Sequence, residues 1–191
     1  MTETAPRAQF QSVEPARGTP DGEFEALFRA EFAYVWKTLR RLGVAERDLE
    51  DVTHDLFVNV FRRLGDYDRA RPIRPWLCGF AARTASDYRR LARHRYEVGE
   101  GEAREHKGPG ADEDGAFRAF EARDTLLKAL DALDLERRVV VVMHDIDGHS
   151  MPDIAQALGV PLNTAYSRLR LARENLREAL GRVRPEEVRH E

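Results

Sequence analysis

The chain lacks most of what marks the large structural and catalytic classes. It has one cysteine, Cys78, in 191 residues, so no internal disulfide can form, which fits a reducing compartment. No window approaches the roughly 18 consecutive apolar residues of a membrane span. Residues 1–22 have no apolar signal core and are rich in Pro, Gly, Thr and Glu, the composition of a disordered leader. A soluble protein without membrane insertion, located in the cytoplasm, is expected. There is no phosphate-cradling glycine loop and no serine nucleophile context. Asp145 and Asp147 beside Gly148 look like a calcium loop, but the glycine is misplaced and the distal acid is missing. His144 and His149 have no metal-ligand company at useful spacing. The expectation is therefore no metal, no cofactor and no enzyme activity in the chain itself.

What is present is charge and helical periodicity. Charged residues make up 34% of the chain and hydrophobic ones 42%, a balance that suits limited cores, and the length accommodates two small domains. The net charge of −3 conceals a strong segregation. Arg71 to Arg95 holds seven arginines against the single acid Asp87. Asn163 to Arg184 holds Arg168, Arg170, Arg173, Arg177, Arg182 and Arg184 against Glu174 and Glu178. The compensating acids lie in Glu46 to Asp55 and Glu97 to Asp114. Local field rather than net charge governs phosphate binding, so two basic helices point to nucleic acid.

Apolar residues recur at helical spacing over Phe24 to Leu42, ended by Gly43, and over Glu46 to Leu64, where Leu49, Val52, Leu56, Phe57, Val60 and Phe61 carry the pattern, ended by Gly65. The loop DYDRARPIR follows, with Pro72 and Pro75 opposing a continuous helix. A third helix is predicted from Trp76 to about His94, with Leu77, Phe80, Ala81, Ala85, Tyr88 and Leu91 on its apolar face. Trp76 shares the phase of Phe80 and reads as core, and Cys78 as a packing residue. Residues 97–116 are glycine-rich and acidic with almost no apolar residue, the composition of a flexible tether. Helix resumes near Phe117 through Leu133, and a shorter one covers Leu135 to about Ile146. The fold class is all-α, with an N-terminal three-to-four-helix bundle over 23–96 and a C-terminal helical domain over 117–184. An acidic linker joins them, and residues 185–191 form a tail.

Ser150 to Arg173 reads as a helix-turn-helix. Ile154, Ala155 and Leu158 share one face, Gly159 supplies the turn, and Pro161 opens a second helix that buries Ala165 and Leu169. Ala155 is small enough for the two helices to cross closely. In such a unit the start of the second helix enters the major groove. The plain alternative is an ordinary helical hairpin.

Three segments in this order resemble the extracytoplasmic-function sigma factors of bacterial RNA polymerase. They are DLEDVTHDLFVNVFRRL, DYDRARPIRPWLCGFAARTASDYRRL and LDALDLERRVVVVMHDIDGHSMPDIAQALGVPLNTAYSRLRLARENL. The resemblance spans about Phe24 to Leu180. It implies an alternative sigma factor that binds core polymerase, directs it to specific promoters and helps to melt DNA.

Residue by residue, it implies three surfaces. Glu50, Asp51, His54, Asp55 and Asn59 would form a polar stripe for the polymerase clamp coiled coil; on composition alone they read as a solvated helix face. Tyr67, Arg69, Arg71, Arg74, Arg83, Arg89 and Arg90 would hold the melted strand of the minus-ten element, with a flipped base cradled by the loop from Asp66 to Pro75. Asn163, Thr164, Tyr166, Ser167, Arg168, Arg170, Leu171 and Arg173 would face the minus-thirty-five duplex, Arg168 and Arg173 through phosphates or by pairing with acids of their own domain. Arg83, Asn163, Tyr166 and Leu171 depart from common family residues at promoter-contact positions, so the promoter read should differ from the commonest motif; His54 departs likewise at a polymerase-contact position. The resemblance further implies contact with the polymerase flap, an anti-sigma partner and a tether that threads toward the RNA path. The rival readings are a stand-alone helix-turn-helix regulator and a purely protein-binding role.

Overall fold

Helices form where the apolar period predicts them, with differences at the ends. A computed structural model of the chain describes residues 20–97 and 114–183, with side-chain environments for 22–92 and 122–181. Among these residues there are seven α-helices and no strand: α1 (Pro20–Arg41), α2 (Leu49–Arg63), α3 (Ile73–Glu97), α4 (Asp114–Asp131), α5 (Leu135–Val141), α6 (Met151–Leu158) and α7 (Leu162–Val183). A π-turn, Val142–Ile146, extends α5.

Local chemistry explains the boundaries. Gly43, at φ 93°, ends α1 in a conformation that side chains resist. Asp134 caps α5 by accepting from the Arg137 N–H at 2.9 Å, and Ser150 caps α6 by accepting from the Asp153 N–H at 3.3 Å. Gly159, at φ 66°, closes α6 in the left-handed region. Four expectations shift. Helix α1 begins at Pro20, inside the span read as leader. Pro75 lies within the first turn of α3 instead of blocking it, because the first-turn N–H groups have no intrahelical acceptor to lose. Pro161 precedes α7, and its carbonyl accepts from the Ala165 N–H at 3.1 Å. Glu97 closes α3 and Asp114 opens α4, so both ends of the expected linker are helical. The rest of the leader (1–19), the linker interior (98–113) and the tail (185–191) lie outside the described residues.

Helices α1, α2 and α3 pack around Leu39, Leu49, Leu56, Phe57, Val60, Leu77 and Ala81, all buried. An aromatic cluster extends this core, with the Phe28 and Phe57 rings edge to face at 4.8 Å. Helices α4 to α7 enclose Leu130, Leu133, Val140, Val142, Ile154, Ala165 and Leu169. Two residues assigned to the core periodicity sit outside it: Leu91 is 56% exposed and Phe61 46% exposed.

The two units meet along a seam that periodicity did not announce, and their buried residues form one continuous cluster. Helix α3 lies on α6 so closely that a Cβ placed on Gly79 would stand 2.5 Å from the Ala157 carbonyl oxygen. Beside it, Arg138 of α5 is 1% exposed. Its guanidinium donates to the Arg41 carbonyl at the end of α1 and to the Asp131 carboxylate at the end of α4. A buried cation needs such partners to offset lost hydration.

Arg138→Met should keep the helical content but lower the urea unfolding free energy by about 2–3 kcal/mol, since both charge-assisted bonds are lost. Gly79→Ala should part the seam, giving a larger radius of gyration by small-angle scattering at unchanged helicity. An unchanged radius would show that α3 and α6 do not meet there in solution.

Candidate nucleic-acid interface

The three predicted surfaces take different forms. On α2, Glu50, Asp51, His54, Asp55 and Asn59 are all exposed. Asn59 donates from Nδ2 to the Asp55 carbonyl at 3.1 Å, and the His54 ring lies parallel to Phe28 with centroids 6.4 Å apart. The exposed side chains of Val58, at 47%, and Phe61 lie on this helix too. Residue reading missed Val58 and put Phe61 inside; a fourth apolar residue per two turns beyond the core stripe is the signal that could have found them.

The arginine loop is held by acids of the chain. Arg69 grips Glu23 bidentately at 3.0 and 2.7 Å, and that bond holds the Glu23 carboxyl below its ordinary range. Arg71 pairs with Asp68 at 3.2 Å and Arg74 with Glu31 at 2.9 Å. The Arg69 and Arg71 pairs are exposed and screened by water, whereas the Glu31 side chain of the Arg74 pair is largely covered, at 12% exposure. Tyr67 donates to the Arg71 carbonyl, and its ring packs 5.1 Å from Trp76, which meets Phe80 edge to face at 4.7 Å. Trp76 is thus half-buried against the core edge, and loop and helix share one aromatic stack. Arg83 covers the Phe80 ring at 5.2 Å. Arg90 is exposed and 3.5 Å from Asp87, and Arg89 is half-buried.

Helix α7 buries Ala165, Leu169 and Ala172 against α5 and α6. Asn163, Tyr166, Ser167 and Arg170 are exposed and Thr164 and Leu171 half-buried. Arg170 pairs with Glu174 on its own helix at 2.7 Å. Arg168 binds Glu136, and Arg173 grips Asp145 at 2.9 and 2.6 Å. In this structure Arg168 and Arg173 therefore pair with acids of their own unit.

Comparison with known proteins locates this arrangement. Residues 27–95 match the family model Sigma-70 region 2, and residues 123–176 match Sigma-70, region 4. The RNA polymerase sigma factor NccH of Alcaligenes xylosoxydans xylosoxydans is 31% identical over 140 residues, 72% of this chain and 75% of NccH. CarQ, a sigma factor of Myxococcus xanthus, is 30% identical over 179 residues, 93% of this chain and 100% of CarQ.

The chain belongs to the ECF sigma factors.

The structure of CnrH in complex with the cytosolic domain of CnrY aligns with a TM-score of 0.61 and 28% identity, covering 86% of this chain and 91% of CnrH. The region 2 match falls on α1 to α3 and the region 4 match on α4 to α7. The protein is an alternative sigma factor, a transcription initiation factor, and the stand-alone regulator reading is not favoured. In this sigma factor the seam between the two regions carries residues that periodicity could not pair. A groove there is lined by Gly79, Arg83 and Ser86 of α3, Glu136 and Val139 of α5, Ala157 and Leu158 of α6, and Arg168 of α7. Two arginines assigned to separate promoter elements, Arg83 and Arg168, thus border one groove.

The Arg173 guanidinium, with His144 assisting, holds the Asp145 carboxyl below its usual range. The folded state favours ionised Asp145, so its contribution exists above the ordinary carboxylate range and disappears as pH falls through the lowered value. Asp145→Asn should therefore cost about 0.5–1 kcal/mol at neutral pH, the scale of a partly exposed pair. Thermal melts of variant and parent should converge in acid.

Proposed function

We propose that this sigma factor engages core RNA polymerase through the α2 stripe of Glu50, Asp51, His54, Asp55 and Asn59, with Val58 and Phe61 adding apolar contact. An exposed face that mixes acids, an amide and isolated apolar groups suits a basic partner helix, the charges setting orientation as much as affinity. The start of α7 reads the minus-thirty-five duplex. The observation that carries this reading is the clear projection of Asn163, Tyr166, Ser167 and Arg170 while Ala165 and Leu169 anchor the helix from behind. Arginine bidentate to guanine, serine to either base and apolar contact to a thymine methyl are the available chemistries.

The loop from Asp66 to Pro75 and the adjoining face of α3 hold the melted minus-ten strand. Tyr67 and Trp76 offer ring faces for stacking, and Arg69, Arg71 and Arg74 trade their carboxylate partners for phosphates. The boundaries of the functional units are residues 23–96 and 117–184, and the protein works in the cytoplasm. The flap contact and the threaded acidic tether rest on family likeness, the tether interior lying outside the described residues. An anti-sigma partner belongs to the same reading; CnrH, 28% identical, was solved bound to the cytosolic domain of CnrY.

The seam sets a condition on this function. Elements named minus-thirty-five and minus-ten lie about 25 base pairs apart, roughly 85 Å at 3.4 Å per pair. With Gly79 of α3 against Ala157 of α6, one molecule cannot span that distance. The two regions separate before both elements are engaged, and core polymerase supplies the surfaces that hold them apart.

Co-purification with bacterial core polymerase, then run-off transcription from a promoter library, tests the reading. Binding with new promoter-specific transcripts supports it; no binding by the folded chain overturns it. Arg170→Ala should weaken the upstream element by about 1–3 kcal/mol. Arg83→Ala should impair strand opening while upstream duplex binding stays nearly intact. Wild-type opening by that variant would remove Arg83 from the melting surface.

A further inference from the structure

Tyr34 of α1 places its hydroxyl at the meeting point of three side chains from distant parts of the chain. It lies 2.9 Å from Cys78 Sγ of α3, donates to Asp147 Oδ2 at 2.8 Å and lies 3.1 Å from His149 Nε2. Asp147 and His149 stand in the turn between the π-turn and α6, so the cluster straddles the seam between the two regions. The Cys78, Asp147 and His149 donor atoms all lie within 4.8 Å of one another. None of the promoter or polymerase surfaces uses these groups.

We infer that Cys78, Asp147 and His149 form a site for a borderline-soft divalent metal ion of the zinc class, bridging region 2 and region 4. One thiolate, one carboxylate and one imidazole are the donor types such ions select, and hard calcium or magnesium ions do not take sulfur. Zinc bond lengths put tetrahedral donors about 3.4–3.7 Å apart, so the cluster closes by about 1 Å. The ion takes the space that the Tyr34 hydroxyl fills, and the phenol turns aside or becomes the fourth donor.

The surroundings support this geometry. Arg41 holds the other Asp147 oxygen at 2.9 Å, fixing the carboxylate with Oδ2 toward the site, as second-shell partners of metal ligands do. Metal binding expels the thiol proton to solvent and leaves a coordinated thiolate. An ion held by α3 on one side and the α5–α6 turn on the other stabilises the closed seam. That consequence for transcription rests on the sigma-factor reading; the binding itself does not.

The full-length chain, freed of metal with a chelator, is titrated with Co2+ and then with competing Zn2+. Expected is one equivalent of Co2+ with a thiolate-to-cobalt charge-transfer band that Zn2+ displaces. Cys78→Ser should abolish the band. His149→Gln, at a half-exposed position, should weaken binding by at least about 10-fold to 100-fold, while His144→Ala leaves it unchanged. Circular dichroism establishes that each variant is folded. No band in the parent overturns the site, and so does a band that survives Cys78→Ser. A band lost in Cys78→Ser but of parental affinity in both His149→Gln and Asp147→Asn overturns the bridge between regions. With binding established, Zn2+ should reduce run-off transcription by the parent and not by Cys78→Ser. Equal transcription with and without Zn2+ would overturn the closed-seam consequence and leave the site standing.

Discussion

The guanidinium of Arg138 is the constraint on which the arrangement of the two regions depends. A cation at 1% exposure survives only where acceptors replace water. Two are supplied by helix ends that would otherwise leave carbonyls or carboxylates in search of donors: the Arg41 carbonyl closing α1 and Asp131 closing α4. Gly43 completes the arrangement, since a Cβ there would stand 3.2 Å from the same guanidinium. One side chain thus sets where α4 and α5 lie against the first bundle. The placement of the turn carrying Asp147 and His149 follows from it.

From that placement comes a competition for surfaces. One side of α3 feeds the region 2 core through Leu77, Ala81 and Ala85, while Gly79, Arg83 and Ser86 look onto region 4. The arginines of α7 are divided in the same way. Arg168 and Arg173 brace their own unit through Glu136 and Asp145, and Arg170 stays on the outer face. Were Arg168 and Arg173 turned outward, α7 would lose the pairs that tie it to Glu136 and Asp145.

Much of the fold was legible because helical periodicity and caps are local. Ser150, Gly159, Ala165 and Leu169 behave as their types and spacing require, and Gly43 stops α1, whereas Gly65, expected to end α2, lies inside a 3-10 turn, Leu64–Asp66, that continues from it. The failures are equally local in origin. Pro75 breaks a helix only beyond the first turn, and it lies within the first turn of α3, where its missing N–H costs nothing. Phe61 and Leu91 carry the right period for a core face, but the bundle ends before it covers them. The exposed stripe on α2 was readable as a stripe; that Val58 and Phe61 border it was not.

The sequence by itself determined seven helices, their order, the helix-turn-helix and two arginine-rich segments, and through three ordered segments it pointed to the family. These rest on neighbours within a few positions, where a helix repeats itself every 3.6 residues. Only the tertiary structure decided that the two regions share a seam, that Arg138 is buried, and that His149 has company. Its hydrogen-bond partner Tyr34 and its neighbour Cys78 lie far away along the chain, and no spacing rule reaches across a tether to bring them together. Such pairings arise from how whole helices pack, and packing is chosen by the shapes of buried faces rather than by the order of residues.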